Sequence, residues 1–156
     1  MKKLSILFIL LIALSISVLA QDTDTKKDVE AIKKVIQTAY VEGLQNEGDV
    51  EKIDNGFHPG FKLLGIGQGN QMWEYPIYTW KESVLTRKEE GKLPKKDDEQ
   101  VSIKFLNVDV TGTAAVAKIE FYVGKDLRYV DYLSLYKFED GWKIVNKIYY
   151  EFPKDE

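Results

Sequence analysis

Asp131-Tyr132-Leu133-Ser134-Leu135-Tyr136-Lys137-Phe138-Glu139-Asp140-Gly141-Trp142-Lys143-Ile144-Val145-Asn146-Lys147-Ile148-Tyr149-Tyr150 is the stretch on which the fold turns. Aromatic and β-branched residues on both sides of an Asp-Gly pair predict two strands joined by a tight hairpin. Working outward, strands are predicted over about 101–110, 114–123, 127–138 and 142–151, with turns at Thr111-Gly112, Gly124-Lys125-Asp126 and Asp140-Gly141. Consecutive strands on short turns make the sheet antiparallel.

Upstream, the apolar period lengthens. Val29, Ile32, Ile36, Tyr40, Gly43 and Leu44 recur at helical spacing behind Thr25-x-x-Asp28, a capping signal. Gly48 breaks this helix, Asp49 caps a short second one, and Phe57-His58-Pro59-Gly60 ends that. Short strands at about 61–66 and 71–75 flank Gly67-Gln68-Gly69-Asn70, where no helix follows directly to make a phosphate loop. A third helix follows Pro76, with Thr79 as its cap and Trp80, Val84 and Leu85 as its inner side. Residues 86–100 carry five basic and five acidic side chains and read as a solvated helix end and loop. Helices before strands give an α+β class.

The N-terminus reads differently. Lys2-Lys3, an apolar run to Leu19 and small residues around Ala20 form the pattern of a secretory signal peptide over residues 1–20. Residues 21–156 are then one exported domain, periplasmic or secreted, with no membrane attachment after cleavage. That chain carries 20 basic and 25 acidic side chains, so no basic stripe offers itself to nucleic acid. Zero cysteines remove disulfides, thiolate zinc sites and cysteine nucleophiles. One histidine argues against Ser-His-Asp catalysis and multi-His metal sites, and no cofactor motif is present.

The order of elements, the Phe57-His58-Pro59-Gly60 corner and the Asp131-Tyr-Leu-Ser-Leu…Gly141-Trp142-Lys-Ile144-Val145-Asn146-Lys147 block resemble the putative lumazine-binding group of the nuclear transport factor 2-like superfamily. The resemblance spans about residues 28–150. It implies a cone-shaped domain in which N-terminal helices pack on a curved antiparallel sheet around a cavity. It also implies sheet-to-sheet dimers and, as an enzyme template, proton transfer like that of ketosteroid isomerase, although no clear second carboxylate is in place.

Strand parity selects candidate residues. A two-residue Asp140-Gly141 loop sets Leu135 opposite Asn146, Leu133 opposite Ile148 and Asp131 opposite Tyr150, all on one face. A three-residue loop at 124–126 adds Ala115, Ala117, Ile119 and Phe121, giving a mostly apolar, concave face. Asp131 then points inward, either as a general base or as a structural acid bonded to Tyr150 or Tyr40; desolvation raises a carboxylate's pKa toward the range of a working base. Asn146, with donor and acceptor, stands about 13 Å along the sheet from Asp131. His58 either braces its corner or faces the pocket, and Tyr40, Trp73 and Trp80 either fill core or stack on a flat ring.

The expected ligand-binding set is therefore Tyr40, His58, Trp73, Trp80, Asn146 and Tyr150, with Asp131 as the catalytic candidate. The opposite face carries Val130, Tyr132, Tyr136, Val145 and Tyr149, an aromatic surface expected to form a homodimer interface. The leading functional reading is an exported domain with an apolar pocket for a small, aromatic or heterocyclic molecule. The alternatives are an isomerase or dehydratase using Asp131, and a pocketless assembly module acting through its sheet.

Overall fold

The structure, a computed structural model, describes residues 24–153; the expected signal peptide and both ends of the expected domain lie outside the described residues. Helix α1 spans 24–47 and is wound wide, in π-helical form, over Ile36–Glu47. Its apolar stripe does what the spacing predicts: Ile32, Ile36, Ala39, Tyr40 and Leu44 are buried. Thr25 and Asp28 do not start it, because the helix already runs at residue 24. The Asp28 carboxylate instead accepts from the Trp142 indole (3.0 Å) and from Lys137 (2.7 Å), pinning the helix to the closing hairpin. Gly48 ends α1 at φ 68°, the left-handed region where a side chain is strained.

Helix α2 (Val50–Gly56) is capped by the Asp49 carboxylate, which accepts from the Lys52 amide. Gly56 sits where a methyl group would collide with the Ala39 side chain, so the two helices touch through a residue without one. Strand β1 (Phe57–Ile66) follows, then β2 (Met72–Pro76) and helix α3 (Ile77–Glu89). Pro76, rather than Thr79, occupies the cap position of α3, since its extended backbone turns the chain into the helix. Trp80 and Val84 face inward, but Leu85 is exposed.

Strands β3 (Val101–Thr111), β4 (Ala114–Val123), β5 (Asp126–Phe138) and β6 (Gly141–Glu151) complete a six-stranded sheet in the order β2-β1-β6-β5-β4-β3. All pairs are antiparallel except β1 with β6, so the sheet is mixed. One apolar cluster joins α1, α2 and α3 to the inner sheet face through Phe61, Ala117, Ile119, Leu133, Leu135 and Ile144. Asn46 fastens the end of α1 to β3 by a reciprocal pair, its side chain donating to the Val101 carbonyl and accepting from the Val101 amide.

The closing hairpin departs from the expected register. Phe138 pairs with Gly141, so Glu139-Asp140 form the turn, one residue earlier than expected. Leu135 then faces Ile144, and a bulge at Val145 brings Ser134 opposite Asn146, Leu133 opposite Lys147 and Asp131 opposite Tyr149. An extra residue in one strand reverses which side chains face in beyond it. Consequently Lys147 and Tyr149 turn inward, while Asn146, Ile148 and Tyr150 turn outward. At the other end of β5, the turn is shorter than expected and a register shift beside Arg128 compensates, so Ala115, Ala117, Ile119 and Phe121 stay buried.

Candidate functional site

Tyr40 reaches from the wide-wound part of α1 to the sheet, and such π-helical turns recur at functional sites. Its hydroxyl donates to Asp131 Oδ2 at 2.7 Å. The ammonium of Lys147 donates to the same Oδ2 at 2.8 Å and to the Tyr40 oxygen at 2.6 Å. Three polar groups from α1, β5 and β6 thus close a triangle inside the core, with Tyr40 1 %, Asp131 0 % and Lys147 5 % exposed.

Aromatic rings surround the amine. Its Nζ lies 4.9 Å from the Tyr40 ring centroid, 5.3 Å from Tyr149, 5.7 Å from Phe121 and 5.9 Å from Tyr129. Charge without a partner at this depth would be expensive, and Asp131 supplies the partner. Burial nevertheless holds the Lys147 pKa below the ordinary lysine value, against the upward pull of the Asp131 charge. Burial, then the neighbouring carboxylate, holds the Tyr40 hydroxyl well above the usual tyrosine range, so it stays protonated. Asp131 Oδ1 is buried without a hydrogen-bond partner.

A cavity of about 310 Å³ opens on one side of this triangle. Tyr40 and Lys147 form part of its wall, with Trp80, Phe121, Tyr129 and Tyr149 as aromatic surfaces and Leu63 and Val123 as apolar ones. Gln45 and Lys95 are its remaining polar edges. Lys95 belongs to the segment expected to be solvated; instead Leu93 is buried, and the Lys95 amide donates to the Asn46 carbonyl. The Lys95 ammonium makes no ion pair among the described residues, and burial lowers its pKa.

Of the expected site residues, the structure brings Tyr40 and Trp80 to the cavity and sets Asp131 immediately behind Tyr40 and Lys147. Trp73 lies over Gly65 and beside Tyr149, outside the lining. His58 points away: its Nδ1 accepts from the Gly60 amide at 3.0 Å and its ring stacks on Phe138, so it braces the corner. Asn146 is outside too, its side-chain amide donating to the Lys62 carbonyl at 2.9 Å, where it helps fasten β1 to β6. Tyr150, 58 % exposed, packs on Phe152. The bulge that moved these two residues out moved Lys147 and Tyr149 in.

Among the residues expected at a dimer face, Tyr132 and Tyr136 are exposed and Val130 and Val145 half-buried, whereas Tyr149 faces the cavity. Lys147, Tyr129, Tyr149 and Lys95 are among the site residues that sequence reasoning missed. The one available signal for Lys147 was a cation inside the apolar run Ile144 to Tyr150.

The family model described as "Putative lumazine-binding" matches residues 27–150. Among curated proteins, an aldolase of a Cladobotryum species is 24% identical over 123 residues, covering 77% of this chain and 90% of that protein. Among solved structures, a nuclear transport factor 2-like protein of unknown function from Shewanella baltica superposes with a TM-score of 0.64 at 24% identity, over 82% of this chain and 96% of that one. A second, from Silicibacter pomeroyi, gives 0.65 at 21% identity over 82% of this chain and 98% of that one.

Proposed function

Because the chain belongs to the putative lumazine-binding family, within the nuclear transport factor 2-like fold, we propose that it holds a small molecule in the cavity beside Tyr40 and Lys147. The observation that carries this reading is a buried polar triangle set in the wall of an otherwise aromatic cavity. Apolar walls with a few convergent polar groups are the common make-up of small-molecule sites. Trp80, Tyr129 and Tyr149 suit a flat ring, the Tyr40–Lys147 pair suits a carbonyl or hydroxyl on it, and Lys95, in the same lining, suits an acidic group. Export of the domain is supported by the pattern over residues 1–20.

Fluorescence titration with a panel of pteridines, flavins and aromatic carboxylates tests the reading. At least one compound should quench saturably, and Trp80→Phe should remove most of that response. No saturable quenching or calorimetric heat from any member would end it.

A second reading, catalysis, is favoured by Asp131 Oδ1, a buried acceptor with no partner, and by the aldolase name of the curated relative. Asp131 would act as a proton acceptor through Tyr40 and Lys147, since these stand between it and the cavity. Isomerisation, dehydration and aldol chemistry all begin with such a proton transfer beside a carbonyl. Asp131→Asn should then abolish turnover while leaving ligand affinity nearly intact. The outer sheet face, with Tyr132, Tyr136 and Ile148 exposed, supports a homodimer joined through that face.

A further inference from the structure

Lys147 is placed for more than charge balance. It is the one member of the buried triangle that carries an amine, and its side chain is part of the cavity lining. An amine that attacks a carbonyl needs a dry site that favours its neutral form, an acid for the developing alkoxide, and an acceptor for the proton it loses. Four rings within 4.9–5.9 Å supply the dry surroundings. The Tyr40 hydroxyl at 2.6 Å is a protonated acid, and Asp131 at 2.8 Å is the acceptor, with a second oxygen left free of other bonds. Burial, which lowers the amine's pKa, works in the same direction.

We propose that Lys147 is a covalent site, its amine condensing with the carbonyl carbon of an aldehyde or ketone held in the cavity. This rests on the reading that the cavity holds a small molecule, and names that molecule's reactive group. In the first step the ammonium passes a proton to Asp131, and the nitrogen lone pair forms the N–C bond. The C=O π pair moves to oxygen, which takes the Tyr40 proton. Tyr40 recovers a proton from the nitrogen, and the carbinolamine oxygen takes the one held on Asp131. The C–O bond then breaks, water departs and C=N forms. The balance is one carbonyl compound plus one lysine amine giving one Schiff base plus one water, with no change of oxidation state. The resulting iminium withdraws electrons from the adjacent carbon, as carbon–carbon bond formation or cleavage beside a carbonyl requires.

The test uses 4-carboxybenzaldehyde, whose carboxylate suits Lys95, with sodium cyanoborohydride to fix any imine, followed by intact-mass measurement and peptide mapping. Lys147 should be alkylated faster than every other lysine of the folded chain. Lys147→Arg should lose that adduct while keeping a native circular-dichroism spectrum, and Tyr40→Phe, a milder change, should slow its formation. Labelling confined to surface lysines, or labelling of Lys147 unaffected by Tyr40→Phe, would overturn the proposal. Terephthalate, which has no electrophilic carbon for the amine, separates the two readings. If it quenches Trp80 while the aldehyde leaves Lys147 unmodified, the covalent site falls and the binding site stands. If neither terephthalate nor the aldehyde is retained, the covalent site falls, and the binding site falls with it when the panel of pteridines, flavins and aromatic carboxylates also fails to bind.

Discussion

Replacing Lys147 by methionine isolates the energetics of the buried triangle. The substitution keeps an unbranched chain of similar length, so the cavity created is small and the main loss is the ammonium. Asp131, fully buried, would be left with Tyr40 as its single partner and with Oδ1 already unpaired. Removing one member of a buried ion pair typically costs about 3–5 kcal/mol, because the other charge stays desolvated. For a domain of this size each kcal/mol lowers Tm by roughly 3–5 °C, so a fall of about 9–25 °C is expected. The double variant Asp131→Asn with Lys147→Met removes both charges and keeps an acceptor for Tyr40. It should therefore recover about 2 kcal/mol or more relative to Lys147→Met alone, a coupling within the range of contacting residues. Urea unfolding followed by circular dichroism measures the unmutated protein, Lys147→Met, Asp131→Asn and the double variant. A loss below about 1 kcal/mol for Lys147→Met, or a double variant less stable than both singles, would refute the argument that charge pairing holds these groups in place.

Three further outcomes are expected. Ultraviolet titration should show Tyr40 still protonated after the exposed tyrosines have ionised. The unfolded chain releases that proton near 10.0 while the folded one keeps it, so above this pH the group lowers stability by up to about 1.4 kcal/mol per pH unit. Lys147 acts with the opposite sign below its ordinary value of 10.5, where the unfolded chain binds the extra proton, so the net fall should set in past that point. Gly56→Ala should cost about 1–3 kcal/mol in urea unfolding, because the new methyl meets Ala39 across two packed helices. Sedimentation should give twice the monomer mass, and Tyr132→Lys with Tyr136→Lys, two exposed outer-face residues, should halve it.

The fold was legible because its signals are local and repeated. The apolar stripe of α1, the Asp49 cap, the Gly48 stop and the four long strands each follow from spacing and turn chemistry within a few residues. The site was legible only in part. Asp131 and Tyr40 could be placed because β5 alternates cleanly from Leu133 and Leu135, and because a buried acid needs a donor from the facing helix. Lys147 could not, since an inserted residue at Val145 leaves no mark in a run of β-branched and aromatic residues. The shift of the turn from Asp140-Gly141 to Glu139-Asp140 was equally hidden, because both positions offer turn-compatible residues. Lys95 escaped because a segment balanced in charge gave no sign that Leu93 would dip into the core and bring the lysine to the cavity edge.

The pairing of β1 with β6 has a bearing on how the chain comes to be made. Lys62 and Asn146 are 84 residues apart, yet the hydrogen bond between them lies on the seam that holds β1 and β2 to the rest of the sheet. During synthesis the early strands therefore wait, unpaired along that edge, until β6 has emerged. A nascent chain in that interval exposes an open strand edge and the apolar side chains Ile66 and Met72, which remain on the surface even afterwards. Closure of distant segments is slow because the intervening loop must first lose its freedom. Assembly of this sheet ends at its middle rather than its rim, and a chain truncated before β6 carries its strands as two unjoined groups, β1-β2 and β3-β4-β5.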